Sequence, residues 1–320
     1  MAGNENQKRK TLEIARLLYQ RSDEDHKLSM QDILEHLRGL GINAERKSVY
    51  SDIDLLTEAG LDIARDGGYY LASRDFELAE LKLLADAVAA SRSVSSKKSK
   101  SIIKKLQGLA SVHQARELNR SVYVSGRVKT ENEGLLYNVD TLHEAINRGK
   151  RISFLYYEYA PDKTMVPRRN GQRYEVSPYL LSWDSENYYL VAHHERYGAL
   201  SNFRVDKMKD IRISDADRKK EPEDLRDYAA RTFGMFAGDP IKLEIEFPAQ
   251  KIGVVIDRFG KDIFTSRHGD RMRAFLLVAP SPVFYSWVFM LGQSSIVYPE
   301  QVKNEYHDMI KQALKAQEEQ

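Results

Sequence analysis

The spacing of apolar residues changes near residue 135, and this change most restricts the folds open to the chain. Before it, apolar residues recur every three or four positions, which is the period of amphipathic helices. After it, short segments rich in Tyr, Phe and Val are joined by Asp, Asn and Gly, which is typical of antiparallel strands. One uniform architecture cannot satisfy both patterns. At roughly 100–200 residues per domain, the 320 residues indicate two or three domains.

The first seventy residues predict three short helices and a hairpin. A first helix is expected over about residues 8–21, and Ser29 can cap a second. A third helix is expected from about Glu45 to Gly60. Gly67–Gly68 then separates two short strand-like segments, which indicates a hairpin turn. This order is the pattern of a winged helix-turn-helix.

The start of the third helix carries side chains suited to DNA. In a winged helix-turn-helix this helix lies in the major groove, and Arg and Lys can bond guanine there. Asp52, Asp54 and Glu58 lie deeper in the helix. The alternative is a small helical protein-interaction module, which the net charge of −3 over residues 1–72 favours. The residues predicted to bind DNA are Arg46, Lys47, Ser48, Tyr50, Ser51 and, beside the wing, Arg65.

A helical connector follows, and it is strongly basic. Residues 75–90 predict one helix, Ser and Lys residues then interrupt the pattern, and residues 102–112 predict another. Residues 92–129 carry ten basic side chains against one acid, Glu117. Such a segment either attracts a phosphate backbone or is simply solvated. The paired helices either support dimerisation or act as a spacer.

The middle of the chain predicts a small barrel of the SH3 or Sm type. Four strands are expected at residues 151–160, 172–183, 186–194 and 199–208, after one helix at about 138–148.

These strands carry a recognisable motif. The segment YLLSWDSENYYLVAHH, followed by LSNFRVDKM, resembles the WYL domain of bacterial transcription regulators. Tyr188, Tyr189 and Leu190 stand at the family's Trp-Tyr-Leu, and Phe203–Asp206 matches its arginine-bearing strand. Lys207 stands where the family more often has Arg. The resemblance extends over the whole chain: winged helix, helical connector, WYL barrel and C-terminal extension.

The resemblance implies a domain that senses a negatively charged effector, either a nucleotide or a nucleic-acid strand. The residues permit this independently, because cationic groups suit phosphates and aromatic rings suit bases. Alternation along the strand places Tyr188 and Tyr189 on opposite faces, so only one can point at a pocket. The alternative is that the rings fill the core and the arginines pair with Glu175, Glu186 or Asp206. The predicted ligand-binding residues are Tyr179, Tyr188, Tyr189, His193, Arg204, Lys207, Arg168 and Arg173.

The last hundred residues predict a small α/β sandwich. Strands are expected at 241–247 and 271–279, with a helix beginning near residue 250, a helix carrying Trp287 and a last helix after Pro299. Residues 221–240 read as a linker with a short helix. The segment resembles the extension found after WYL domains, which implies dimer contacts and a cover for the ligand. A passive stabilising role is the alternative.

The sequence carries no catalytic motif. His193 and His194 are adjacent on a predicted strand and so point to opposite faces, which prevents both from binding one metal. No phosphate-binding loop, nucleophile elbow or dinucleotide-binding fingerprint is present. We therefore expect no enzyme activity, no cofactor and no metal. With no cysteine, no apolar run of about 18 residues and a polar N-terminus, the expected location is the cytoplasm.

Together these features predict an α+β multidomain protein. The expected function is a ligand-responsive, DNA-binding transcription regulator that forms a homodimer. Its expected partners are a double-stranded DNA operator and an anionic effector, without membrane contact. One alternative is a sequence-independent nucleic-acid-binding protein that uses the barrel and the basic connector, and another is a nucleotide-processing enzyme. The expected domains are 1–73 (winged helix-turn-helix), 74–130 (connector), 131–220 (WYL) and 221–320 (extension).

Overall fold

The chain forms two compact units in a computed structural model. The first comprises Met1–Glu133 and the second Gly134–Gln320. The finer predicted boundaries at residues 73 and 220 stay predictions. The structure describes residues 2–119, 129–130, 132–223, 225 and 240–319.

The first unit is helical apart from one two-stranded hairpin. The three predicted helices and the hairpin of the first seventy residues are confirmed as elements, with the first helix beginning at Ala2. A 3-10 helix follows at Gln114–Asn119. The elements are α1 (Ala2–Arg21), α2 (Met30–Gly39), α3 (Arg46–Glu58), β1 (Ile63–Ala64), β2 (Tyr70–Leu71), α4 (Leu78–Ala90) and α5 (Ser96–Gln107).

Local hydrogen bonds and one shared core hold α1, α2, α3 and the hairpin together. Ser29 and Asp32 form a reciprocal capping box at the start of α2. Gly67 and Gly68 have φ of 67° and 149°, a backbone conformation that glycine adopts readily, and so turn the hairpin. The fully buried side chains of this core include Ile14, Leu18, Ile33, Leu37, Val49 and Ile53.

The connector begins its second helix earlier than predicted. The Ser and Lys residues expected to interrupt the helix form its first turns, because Ser95 accepts a hydrogen bond from the backbone N–H of Lys98 and caps α5. Arg120 and Arg127 of the basic segment lie outside the described residues.

The second unit opens with a helix packed on a strongly curled sheet. The predicted strands at 151–160, 172–183, 186–194 and 199–208 are present with small shifts, but β4 and β8 were missed. The fourth prediction ended where a short 3-10 turn, Val205–Lys207, leads into β8. The elements are α6 (Leu135–Asn147), β3 (Lys150–Tyr159), β4 (Met165–Pro167), β5 (Tyr174–Asp184), β6 (Asn187–His194), β7 (Ala199–Arg204) and β8 (Met208–Asp217).

The predicted barrel is a curled half-barrel. Its strands are hydrogen-bonded in the order β4-β3-β5-β6-β7, and β8 pairs with the other part of β3. Within the described residues no ladder joins β7 to β8, which follow one another across the 3-10 turn. The side chains packed inside the curl include Leu142, Ile152, Phe154, Val176, Leu190 and Phe203.

The C-terminal part of this unit is an antiparallel sheet with helices on one face. The predicted strands and helices are present, and β10 was missed because its sequence, FTSRH, has a single large apolar residue. The strand order is β10-β11-β9-β12. Of the predicted linker and short helix, residues 224 and 226–239 lie outside the described residues. The elements are β9 (Ile241–Pro248), α7 (Ile252–Phe259), β10 (Phe264–His268), β11 (Arg271–Val278), α8 (Pro282–Met290), β12 (Ser295–Tyr298) and α9 (Glu300–Glu318).

Candidate DNA-binding and effector sites

Helix α3 separates its side chains cleanly into an inner and an outer set. Val49, Ile53 and Leu56 are buried in the core of the first unit. Among the predicted DNA-binding residues, four are exposed on the outside of the helix. They are Arg46, Lys47, Tyr50 and Ser51.

Ser48 differs from the other predicted DNA contacts. Its hydroxyl accepts a hydrogen bond from Lys10 Nζ, and Lys10 also lies 2.8 Å from Asp52 Oδ2. Thr11 Oγ1 donates to the other Asp52 oxygen at 2.7 Å. Ser48 is therefore part of an internal polar network that joins α1 to α3.

Arg65 beside the hairpin is already paired with an acid of α3. Its guanidinium contacts Asp54, and both side chains are about half exposed. The ring of Tyr50 lies 6.4 Å from that of Tyr69 in the hairpin. These contacts place α3 and the two-stranded hairpin side by side, with one of the two outward acids of the helix neutralised.

In the second unit, the side chain of Arg204, one of the predicted ligand-binding residues, is held by three hydrogen bonds. Its guanidinium binds both oxygens of Asp206, at 3.1 and 2.8 Å, and donates to Asn187 Oδ1 at 3.0 Å. Burial disfavours the charge, but the hydrogen bond and charge of Asp206 prevail and raise the pKa of Arg204. Of the three acids considered as partners for the arginines, the structure thus selects Asp206 for Arg204.

Tyr156 ties the backbone of Arg204 to the opposite side of the curled sheet. The backbone N–H of Arg204 donates to Tyr156 Oη at 3.1 Å. Burial is the main cause of the raised pKa of this tyrosine. The cationic side chain of Arg204 is therefore held at a defined position at the end of β7.

Tyr188 and Tyr189 lie on opposite faces, as predicted. Tyr188 packs against the core inside the curl and lies edge-on to Trp183, with ring centroids 4.6 Å apart. Tyr189 packs on the outer face with Val191 and stands directly opposite Arg204 in the β6–β7 ladder. Tyr189 is thus the tyrosine that shares a face with Arg204.

The remaining cationic residues of the predicted ligand site have partners of their own. Arg168 pairs with Glu158 at 2.9 Å, and Arg173 pairs with Asp210 at 2.7 Å. Lys207 Nζ lies 3.9 Å from the ring centre of Tyr159, and burial lowers the pKa of Lys207. After burial, the charge of Arg204 also lowers the pKa of Lys207, which places Lys207 near Arg204.

Tyr179 and His193 have contacts of their own. Tyr179 is almost fully buried with Leu225 and Val191, and its hydroxyl donates to the Lys220 carbonyl at 3.1 Å. His193 Nδ1 lies 3.8 Å from Glu195 Oε1. Tyr179 therefore serves packing in this conformation, which is the alternative weighed for the tyrosines.

Arg169, which is not among the predicted ligand-binding residues, is a further cation of this sheet. Its guanidinium lies 4.2 Å from the ring centre of Tyr174 and 4.9 Å from that of Tyr197. Its backbone has φ of 52°, in the left-handed region that non-glycine residues rarely occupy. Burial, reinforced by the charge of Arg169, lowers the pKa of nearby His194. A signal in the sequence was the run Arg168-Arg169-Asn170-Gly171, which is typical of a turn.

The described residues contain no cluster of three or more His, Asp or Glu side chains arranged to hold a metal ion. Over the same residues, no helix combines the length and the apolar character needed to cross a membrane.

Comparison with protein families identifies the curled sheet. Residues 137–213 match the family model of the WYL domain. This part of the chain is a WYL domain. It spans α6 and most of β3 to β8, so Arg204, Asp206 and Tyr189 all lie within the WYL domain. No curated protein matches the chain.

Two solved structures are similar to the chain at low identity. Proteasome accessory factor B/C (PafBC) of Arthrobacter aurescens is 19% identical, with a TM-score of 0.29, and the match covers 96% of this chain and 48% of that one. A CRISPR Cas-related protein is 11% identical, with a TM-score of 0.41, and the match covers 76% of this chain and 71% of that one. The chain thus spans about half the length of the PafBC chain.

Proposed function

We propose that the chain is a DNA-binding transcription regulator that responds to an effector through its WYL domain. The observation that carries the proposal is the two-sided character of α3. Its apolar residues pack into the core, while Arg46, Lys47, Tyr50 and Ser51 are exposed. In the proposed assignment, α1 to α3 and the β1–β2 hairpin are a winged helix-turn-helix, with α3 as the recognition helix.

The acids of α3 do not oppose this assignment. Asp52 is buried and paired with Lys10, and Asp54 is paired with Arg65. The last acid of α3, Glu58, is exposed at the far end of the helix, and Glu45 is exposed at the N-cap. A negatively charged phosphate near the start of the helix would therefore meet the two cations Arg46 and Lys47 beside the single carboxylate of Glu45. Arg46 and Lys47 can then bond guanine edges, and Tyr50 and Ser51 can bond phosphates or base edges.

We assign the effector role to the WYL domain, around Arg204 and Tyr189. A guanidinium and a ring on one face suit a phosphate and a base. The Asp206 carboxylate already pairs with the Arg204 guanidinium. An anion would have to displace this carboxylate or share the guanidinium with it. The effector shifts DNA binding only if it binds the DNA-competent arrangement with a different affinity.

The proposal includes a homodimer on a two-fold operator, because two recognition helices would read half-sites about one helical turn apart or a multiple of it. It assigns no catalysis, metal or cofactor to the chain. Turnover of nucleotides by the purified protein would be needed to revive an enzymatic role.

The test is duplex binding by a double variant. Arg46→Ala with Lys47→Ala should lose affinity for a selected operator by at least about tenfold, while oligomeric state and thermal stability persist. The matched control is Lys104→Ala with Lys105→Ala, an exposed basic pair on α5. The control should keep the preference for the operator over unrelated duplex. Operator affinity unchanged in the α3 variant would refute the recognition-helix assignment.

One observation favours a second candidate, a sequence-independent nucleic-acid-binding protein. Helix α5 contains no acid, and its five lysines are all exposed. Such a surface binds phosphates regardless of sequence, with a steep dependence on salt. Equal affinity for every duplex, lost in the α5 control variant, would support this candidate. The five lysines are Lys97, Lys98, Lys100, Lys104 and Lys105.

A further inference from the structure

The C-terminal sheet has one face covered by helices and one face that is not packed into the core. Its elements follow one another as strand, helix, two strands, helix and strand, and a last helix follows. Leu243, Ile245 and Phe247 of β9 and Ala274 and Leu276 of β11 point into the core. Because side chains alternate along a strand, the residues between them occupy the opposite, open face.

Three aromatic rings lie in one row across this open face. Phe264 is 69% exposed, Phe275 is 43% exposed, and the two stand opposite each other with ring centroids 5.2 Å apart. Glu244 follows on the next strand, and Tyr298, which is 61% exposed, stands opposite Glu244 on the last. With about 4.8 Å between neighbouring strands, Tyr298 is about 10 Å from Phe275. Phe264 and Phe275 form a cross-strand pair, but this contact leaves both rings exposed, and the ring of Tyr298 is exposed as well.

The charged residues beside the row leave a small positive balance. Glu244 lies 3.2 Å from Arg273, and Glu246 lies 2.8 Å from Arg273 and 2.5 Å from Arg271. Both carboxylates on this face are therefore neutralised by arginines. Lys242, exposed on the same face, adds a further cation.

We propose that this open face binds single-stranded nucleic acid, with bases stacked on Phe264, Phe275 and Tyr298. Four-stranded sheets with exposed aromatic residues stack two or three bases of a single strand in this way. A row of rings binds without strong sequence preference, because every base has a face to stack, while Lys242 and the arginines attract the backbone. The site lies outside the WYL domain and is independent of the duplex contacts assigned to α3.

The test uses the full chain and a fluorescein-labelled oligothymidylate, with binding followed by anisotropy. Phe264→Leu combined with Phe275→Leu keeps apolar side chains on the face but removes two stacking surfaces. Affinity should fall by about tenfold or more, since each stacked base contributes a factor of several. The matched control is Phe289→Leu, an equally exposed phenylalanine on α8, which should leave affinity unchanged.

Crosslinking separates this face from the other sites. A 5-iodouracil oligonucleotide should crosslink to the peptides containing Phe264, Phe275 or Tyr298, and the double Leu variant should lose these crosslinks. The Arg46→Ala, Lys47→Ala variant should retain these crosslinks. The crosslinking result can therefore be interpreted even if duplex recognition by α3 fails. Crosslinks confined to the WYL domain would overturn the proposal. So would a Leu variant that changes the oligomeric state while oligothymidylate affinity is unchanged, because the face would then be a protein interface.

Discussion

Lys10 Nζ lies 2.8 Å from Asp52 Oδ2, with both side chains more than nine-tenths buried between α1 and α3. Thr11 donates a hydrogen bond to the other carboxylate oxygen, Oδ1, while Oδ2 forms the ion pair with Lys10. The pair fixes the middle of α3 against α1, and it removes the charge of Asp52 from the exposed side of the helix.

Breaking one partner of this pair should unfold the first unit more easily. Asp52→Ala leaves Lys10 charged and buried without its carboxylate, which costs about 3–5 kcal/mol in comparable pairs. Lys10→Met combined with Asp52→Leu should lose much less unfolding free energy, because this double variant leaves no buried charge without a partner. Urea denaturation followed by circular dichroism measures both. Equal losses in the single and double variants would show that packing, rather than charge pairing, dominates here.

The Arg65–Asp54 pair makes a prediction about DNA rather than stability. Both side chains are about half exposed, so removing either should change the unfolding free energy by less than about 1 kcal/mol. Asp54→Ala frees Arg65 for a phosphate and should tighten duplex binding. Arg65→Ala should weaken it for all sequences and reduce the salt slope by about one. Salt titrations of duplex binding test this. Identical salt slopes in the two variants would show that Arg65 does not contact the DNA.

Arg169 should stabilise the WYL domain through its two rings. Arg169→Ala removes the cation from Tyr174 and Tyr197 and should cost about 0.5–2 kcal/mol. The neighbouring Arg168→Ala breaks only an exposed pair with Glu158 and should cost no more than about 1 kcal/mol. Thermal unfolding of both variants gives the comparison. A larger loss of stability for Arg168→Ala than for Arg169→Ala would contradict the contacts assigned to Arg169.

The buried ring of His194 should make stability depend on pH. Burial lowers the pKa of His194 below its ordinary value of 6.5, so the unfolded chain takes up the proton first. The stability contributed by the neutral ring is complete above pH 6.5 and is lost as the pH falls through the lower, folded-state pKa.

A variant isolates this effect of His194. His194→Asn can still accept the backbone N–H of Arg196 but cannot titrate, so its melting temperature should fall less than that of the wild type on acidification. The control His307→Asn, an exposed histidine of the same unit, should follow the wild type. Parallel curves for the wild type and His194→Asn would show that His194 is not responsible.

Local signals in the sequence predicted the elements well, and non-local pairing explains the misses. Ser29 with Asp32 marks the start of α2, and Gly67–Gly68 marks the hairpin, because each signal acts within a few residues. Strand β8 was missed because most of its residues are exposed and polar, so it lacks the apolar alternation that identifies a strand. Its position follows from pairing with β3, more than fifty residues earlier in the chain.

The proposed effector site was predictable in its residue types but not in its grouping. Strand alternation correctly separated Tyr188 from Tyr189. Arg204 pairs with Asp206, one of the acids considered as its partner, and its contact with a ligand stays a prediction. Arg173 lies elsewhere because its partner Asp210 comes from β8, whose pairing the sequence did not disclose. The ring contacts of Arg169 could not be predicted, because they depend on a left-handed turn that brings it between two rings.

The most direct test of the account is selection of duplex DNA by the purified protein, repeated with single-stranded DNA and with nucleotides added. The account predicts enrichment of one two-fold sequence and a change in its affinity with one of the additives. Salt-sensitive binding of every duplex, without enrichment and without response to any additive, would contradict it.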